Sequence, residues 1–114
     1  MYEMYASMLA QAIREKKQVT ASYDGHRREF CPHLLGYRDG VLHMLGYQFA
    51  GTSSQGAVTG EWKCFVVSDL SGVVVRTGPW KTDPIDRHSR SQQCIHNVIV
   101  TVASDPFTRP SNPT

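Results

Sequence analysis

The chain has 114 residues, of which 40% are hydrophobic and 19% charged, with 12 Lys plus Arg against 10 Asp plus Glu and a net charge of +2. That length fits one domain around one core, and so slight a basic excess excludes an extended counterion-releasing nucleic-acid surface, so any anion site is local. No apolar run approaches the roughly 18 to 20 residues of a membrane span, and three cysteines without an apolar leader speak against a secreted disulfide scaffold, which points to a cytoplasmic protein that makes no membrane contact.

Met4, Met8, Leu9, Ala12 and Ile13 recur at helical spacing while Glu3, Gln11, Arg14 and Glu15 take other faces, predicting an N-terminal amphipathic helix. Lys16 and Lys17 suit its last turn, where cations meet the partial negative charge of the helix end. Val19, Ala21 and Tyr23 then alternate, and Asp24-Gly25 is the dipeptide of a two-residue hairpin turn, so "HRREFC" reads as a returning strand. Pro32 cannot donate to a ladder and marks an edge or bend. Asp39-Gly40 predicts a second hairpin. In its outgoing strand Val41, His43, Leu45, Tyr47 and Phe49 face one way and Leu42, Met44 and Gly46 the other, so both faces are apolar and the strand is central.

Ala50 to Gly60 carries three glycines and no charge, and reads as a mobile loop. "WKCFVV" and "GVVVRT" are further strands, and "GPWKTDP" ends the series. "IDRHSRSQQ" is polar and unpatterned, "CIHNVIVTV" reads as another strand, and residues 105–114 form a proline-rich flexible tail, leaving one domain over residues 1–104.

The order of these parts resembles the WYL domain, a bacterial ligand-sensing module usually attached to DNA-binding transcription regulators. The resemblance runs from Leu9 to Thr82 and rests on the helix with Ala12-Ile13, the strand with Tyr23, Arg28 ahead of Pro32, Gly40 before the central strand, and Lys63-Cys64-Phe65 in place of an Arg-x-Phe segment. Leu42-His43-Met44 stands where the family has Trp-Tyr-Leu, and Asp69 precedes Leu70 where the family has an arginine. The resemblance implies a mostly β fold, a small Sm-like barrel of bent antiparallel strands with an N-terminal α-helix, that binds nucleotides, oligonucleotides or other anionic effectors. It also implies that Arg28 and Lys63 converge beside the central strand. No helix-turn-helix segment is legible, so a regulatory role would need a partner polypeptide or a homo-oligomer.

Arg27, Arg28, Lys63 and His43 are therefore the candidate anion-binding residues, with Tyr23 as an aromatic neighbour. Tyr37, Tyr47 and Trp62 are further candidates for stacking on a base. Two Cys-x-His pairs, Cys31/His33 and Cys94/His96, each place two ligands on one strand face. Structural zinc sites usually use tight Cys-x2-4-Cys knuckles instead, so no metal is assigned and Cys31, Cys64 and Cys94 are expected to be buried apolar groups. Neither cysteine–histidine combination has a carboxylate orienter or an oxyanion-hole motif nearby, so no catalytic residue and no cofactor are expected. The expected function is non-enzymatic effector sensing; the alternative is a structural or oligomeric interaction module without a ligand.

Overall fold

The computed structural model describes residues 2–83 and 94–101. The polar stretch 85–93 and the tail 105–114 lie outside the described residues. Helix α1 (Tyr2–Glu15) buries Leu9, Ala12 and Ile13. Lys16 takes a left-handed conformation, φ 55°, while its amide donates to the Ile13 carbonyl and that of Lys17 to the Ala12 carbonyl. This paired closure satisfies the last helical carbonyls. The two lysines thus form the cap rather than the last turn.

Strands β1 (Gln18–Tyr23) and β2 (His26–Arg38) flank Asp24-Gly25, and β2 and β3 (Val41–Ser53) flank Asp39-Gly40. All four turn residues have positive φ, between 53° and 77°. Both hairpins form where Asp-Gly predicted them, because this dipeptide tolerates the left-handed conformation that matches strand twist. Beyond them come β4 (Gly56–Ala57), β5 (Glu61–Val66), a single 3-10 turn (Val67–Asp69), β6 (Leu70–Arg76) and β7 (Asn97–Thr101).

These strands make an open antiparallel sheet in the order β4-β3-β2-β1-β6, with β5 added along the first half of β3 and β7 along the second half of β2. The fold is mostly β with one N-terminal helix. Between β2 and β3 the register slips at Glu29/Phe30 and again at Pro32/Leu34. The proline sits at a bulge, where its missing N–H costs the ladder little.

The slip at Pro32 lets β2 and β3 feed two cores. Under α1, Leu9, Ile13, Val19, Phe30, Met44, Phe65 and Val67 pack together. On the opposite face Leu34, Leu45, Cys94 and Ile95 form a smaller cluster with Trp62 and Cys64 against it. Met44 and Leu45 are adjacent, so strand alternation sends one to each core, and both are fully buried. The central strand is covered on both faces, as its doubly apolar pattern predicted.

Three expectations change. The segment read as a mobile loop is mostly ladder, since β3 runs on to Ser53 and turns back into β4. The final strand starts at Asn97, not Cys94. Cys64 and Cys94 are joined as a disulfide, Cα atoms 5.7 Å apart, leaving Cys31 as the free, buried cysteine. Counting three cysteines could exclude full pairing but not one pair. Among the described residues no helix is long and apolar enough to cross a membrane.

Candidate functional site

Arg28 does not project into solvent. Its β1–β2 pairing places it opposite Ala21, and its side chain turns inward beneath Tyr23 and Phe65, with the guanidinium carbon 5.4 Å and 5.6 Å from their ring centroids. The fork donates from Nε and Nη2 to the Tyr23 carbonyl (3.4 and 3.1 Å) and from Nη1 to Gln48 Oε1 (3.2 Å). Gln48, fully buried, passes its own amide protons to the carbonyls of Ala50 and Thr52. Burial lowers the Arg28 pKa, partly offset by Asp24 and Tyr23. Arg28 thus fastens the first hairpin to the far half of β3.

Tyr23 stands edge-on to Phe65, ring centroids 4.8 Å apart, and its hydroxyl accepts from the Val66 amide at 3.1 Å. Lys63 pairs across from Gly46 and shares the sheet face of Phe65, so it is on Arg28's side, but its Nζ is bound to Glu61 at 3.0 Å. Arg27 points to the other face, exposed and 3.9 Å from Glu29, which also holds Arg76 at 2.7 Å. His43 lies on that other face too, with Nδ1 2.8 Å from its neighbour carbonyl, Val41. The structure therefore brings Arg28 and Tyr23 together, places Lys63 on the same sheet face but bound to Glu61, and leaves Arg27 and His43 on the other face. Asp69 is exposed at the end of the 3-10 turn.

A concavity lies elsewhere. After β6 the chain crosses the sheet as a strap, residues 77–82, tied down by hydrogen bonds to β1 and β2. Gln18 Nε2 donates to the Pro79 carbonyl at 2.6 Å, the Lys81 amide donates to Cys31 Sγ at 3.3 Å, and His33 Nε2 meets Thr82 Oγ1 at 2.9 Å. Between strap and β3 opens a cleft of about 430 Å³ lined by Tyr47, Phe49, Thr59, Trp80, Lys81 and Thr82. Tyr47 and Phe49 come from the odd-numbered face of β3. Lys81 holds its Nζ 5.8 Å from the Phe49 ring centre and makes no ion pair with a described carboxylate. None of the six lining residues is acidic.

Behind this cleft sits an aromatic stack. Trp62 packs edge-on to Tyr47 at 5.2 Å and to His33 at 4.7 Å, and His33 lies 4.7 Å from Trp80. His33 Nδ1 lies 2.7 Å from the Cys31 carbonyl, which can only accept, so Nδ1 carries the proton and Nε2 accepts from the Thr82 hydroxyl. The ring is neutral: burial lowers its pKa to about 4, opposed in part by the Cys31 bond and helped by a lesser lowering from Lys16. Burial likewise raises the Cys31 thiol. The two Cys-x-His pairs do not meet, since Cys94 is bonded to Cys64 and His33 to the strap. Among the described residues no three His, Cys, Asp or Glu side chains converge as metal ligands do.

Of the residues lining the cleft, sequence reasoning singled out Tyr47 as a stacking candidate. Phe49 had a signal, its shared parity with Tyr47. Trp80, Lys81 and Thr82 had none, because "GPWKTDP" reads as a terminator and only the folded strap brings it to β3. Tyr37 is exposed on the far end of β2. Comparison with protein-family models, with curated proteins and with solved structures finds no match to this chain.

Proposed function

We propose that the chain is a diverged WYL-like module, non-enzymatic, that binds a small anionic or nucleotide effector in the strap cleft and passes occupancy to a partner protein. The observation that carries this reading is the lining itself, three aromatic rings with one ammonium and no carboxylate. Aromatic faces stack on any planar base, and an ammonium beside them attracts the anionic end of the same molecule. A volume of about 430 Å³ suits one mononucleotide-sized ligand. The Sm-like bent barrel belongs to the same proposal, supported by the two register slips that bend β2 against β3.

The site differs from the one the resemblance implies. Arg28 is committed to Tyr23 and Gln48, and Lys63 to Glu61, so the anion contact is assigned to Lys81. The non-enzymatic reading draws support from Cys64, which is a disulfide partner rather than a nucleophile, and from His33, both of whose nitrogens are engaged. Titration with mononucleotides, cyclic nucleotides and short single strands, followed by thermal shift, is the test. A ligand at 100 times its Kd adds about 2.7 kcal/mol to stability. Lys81→Met should weaken binding by roughly 1.5 to 3 kcal/mol, the range of a charge-assisted hydrogen bond, while leaving the melting temperature of the free protein within a degree or so. An unchanged affinity in Lys81→Met would move the site elsewhere.

One observation favours the interaction-module reading instead. Val98 and Ile99 on β7, which among the described residues pairs only with β2, are 53% and 54% exposed, an apolar edge of the kind that pairs with another chain. Sedimentation of the free protein decides this: a stable dimer together with no response across the ligand panel would favour that alternative.

A further inference from the structure

We propose that the Cys64–Cys94 disulfide is a redox latch on the C-terminal strand, and that its state regulates the strap cleft. The second half rests on the cleft being a ligand site; the first does not. Of residues 94–101 only Cys94, Ile95 and Val100 are buried, whereas His96 to Ile99 and Thr101 are exposed. The backbone fastening is short: β7 pairs with β2 over Leu34 to Tyr37, with a slip between Leu35 and Gly36, and the His96 amide donates to the Tyr37 carbonyl at 2.9 Å. A segment that buries so little against a broken ladder is held at its start mainly by the covalent bond to β5.

The two sulfurs are unequal. Cys94 is 1% exposed, while Cys64 is only partly buried on β5, so the attack is assigned to Cys64. A dithiol reductant of the thioredoxin class supplies both electrons. Its first thiolate attacks Cys64 Sγ, the Cys64–Cys94 bond breaks, and Cys94 leaves as a thiolate that takes a proton from water. The reductant's second thiolate then attacks its own sulfur in the mixed disulfide, releasing Cys64 as a thiolate that is likewise protonated and leaving the reductant as a cyclic disulfide.

Opening the latch reaches the cleft through one side chain. Trp62 packs against the cluster formed by Leu34, Leu45, Cys94 and Ile95, and its other edges contact Tyr47 and His33. When Cys94 and Ile95 withdraw, Trp62 loses the support that holds Tyr47 in the cleft wall.

The test uses the full chain. Unfolded in denaturant and treated with a maleimide, the oxidised protein should react at one thiol, Cys31, and after reduction at all three. Three reactive thiols persisting after incubation with oxidised glutathione would sink the latch. In the folded protein, reduction should speed amide exchange over residues 97–101 by about tenfold or more, with the β1–β2 and β2–β3 hairpins unchanged. Cys94→Ser should reproduce this without reductant, and if that variant does not fold, reduction of the unaltered chain carries the measurement alone. Exchange that is identical in both redox states overturns the proposal. Adenosine 5′-monophosphate, followed by tryptophan fluorescence, probes the cleft, and its affinity should fall about fivefold or more on reduction. Equal affinity in both states, with the strand released, refutes the coupling but not the latch. No binding in either state refutes the cleft as a nucleotide site, and the coupling with it, while exchange still judges the latch.

Discussion

Arg28 shows how the same residue changes role with its surroundings. An exposed arginine removed from a strand costs under about 0.5 kcal/mol, whereas Arg28→Ala here leaves Gln48 Oε1 and the Tyr23 carbonyl without their donor. We expect a loss of about 1 to 3 kcal/mol in urea unfolding. Its place beside Tyr23 was legible, because a two-residue turn fixes the hairpin register. Its burial was not, because the acceptor Gln48 comes from another hairpin. His33 gives a pH signature. Its folded pKa of about 4 lies below the ordinary 6.5, so between those values the unfolded chain takes up a proton that the folded chain refuses. Stability is therefore complete above about pH 6.5 and falls by on the order of 3 kcal/mol as pH drops through that window. Denaturant midpoints measured from pH 7 to pH 4 should show the fall, and His33→Gln should remove that part of the slope.

At the level of elements, the parts with local causes were readable: α1 from its apolar spacing, both hairpins from Asp-Gly, and the two-faced β3 from its doubly apolar pattern. The strap was not, and β7 was readable as a strand but not in its pairing with β2, since both placements rest on contacts with residues 30 to 70 positions away that leave no periodic trace. Gly36 is an exception in hindsight. A methyl group on it would collide with the Asn97 carbonyl and the Ile95 side chain, so only glycine lets β7 lie against β2 at that point. Gly36→Ala should cost about 1 to 3 kcal/mol by forcing the two strands apart. Amide exchange would locate the damage: faster exchange confined to residues 95–101 is expected, and protection equal to the unaltered chain would mean that the strands absorb the methyl group.

For the whole molecule, the disulfide also acts where no folded contact exists. It closes a loop of sequence separation 30 in the unfolded chain, and the chain-entropy model puts that restriction at about 3 to 4 kcal/mol. Reduction should lower the unfolding free energy by an amount of this order, read from denaturant melts with and without reductant; a negligible change would mean that folded-state strain offsets the entropy. The one-helix, mostly β architecture was visible in the sequence because patterning decides it, while the cleft was visible only as isolated aromatic residues. Strand β3 finally suggests how such a protein can be retuned. Its even positions, Leu42, Met44, Gly46 and Gln48, anchor the helix side, while Tyr47 and Phe49 present rings to the cleft. The cleft borrows only two positions of a strand whose other inward residues, Leu45 of the second cluster included, build the cores, so a combinatorial library at positions 47 and 49 samples new specificities while those core residues stay untouched.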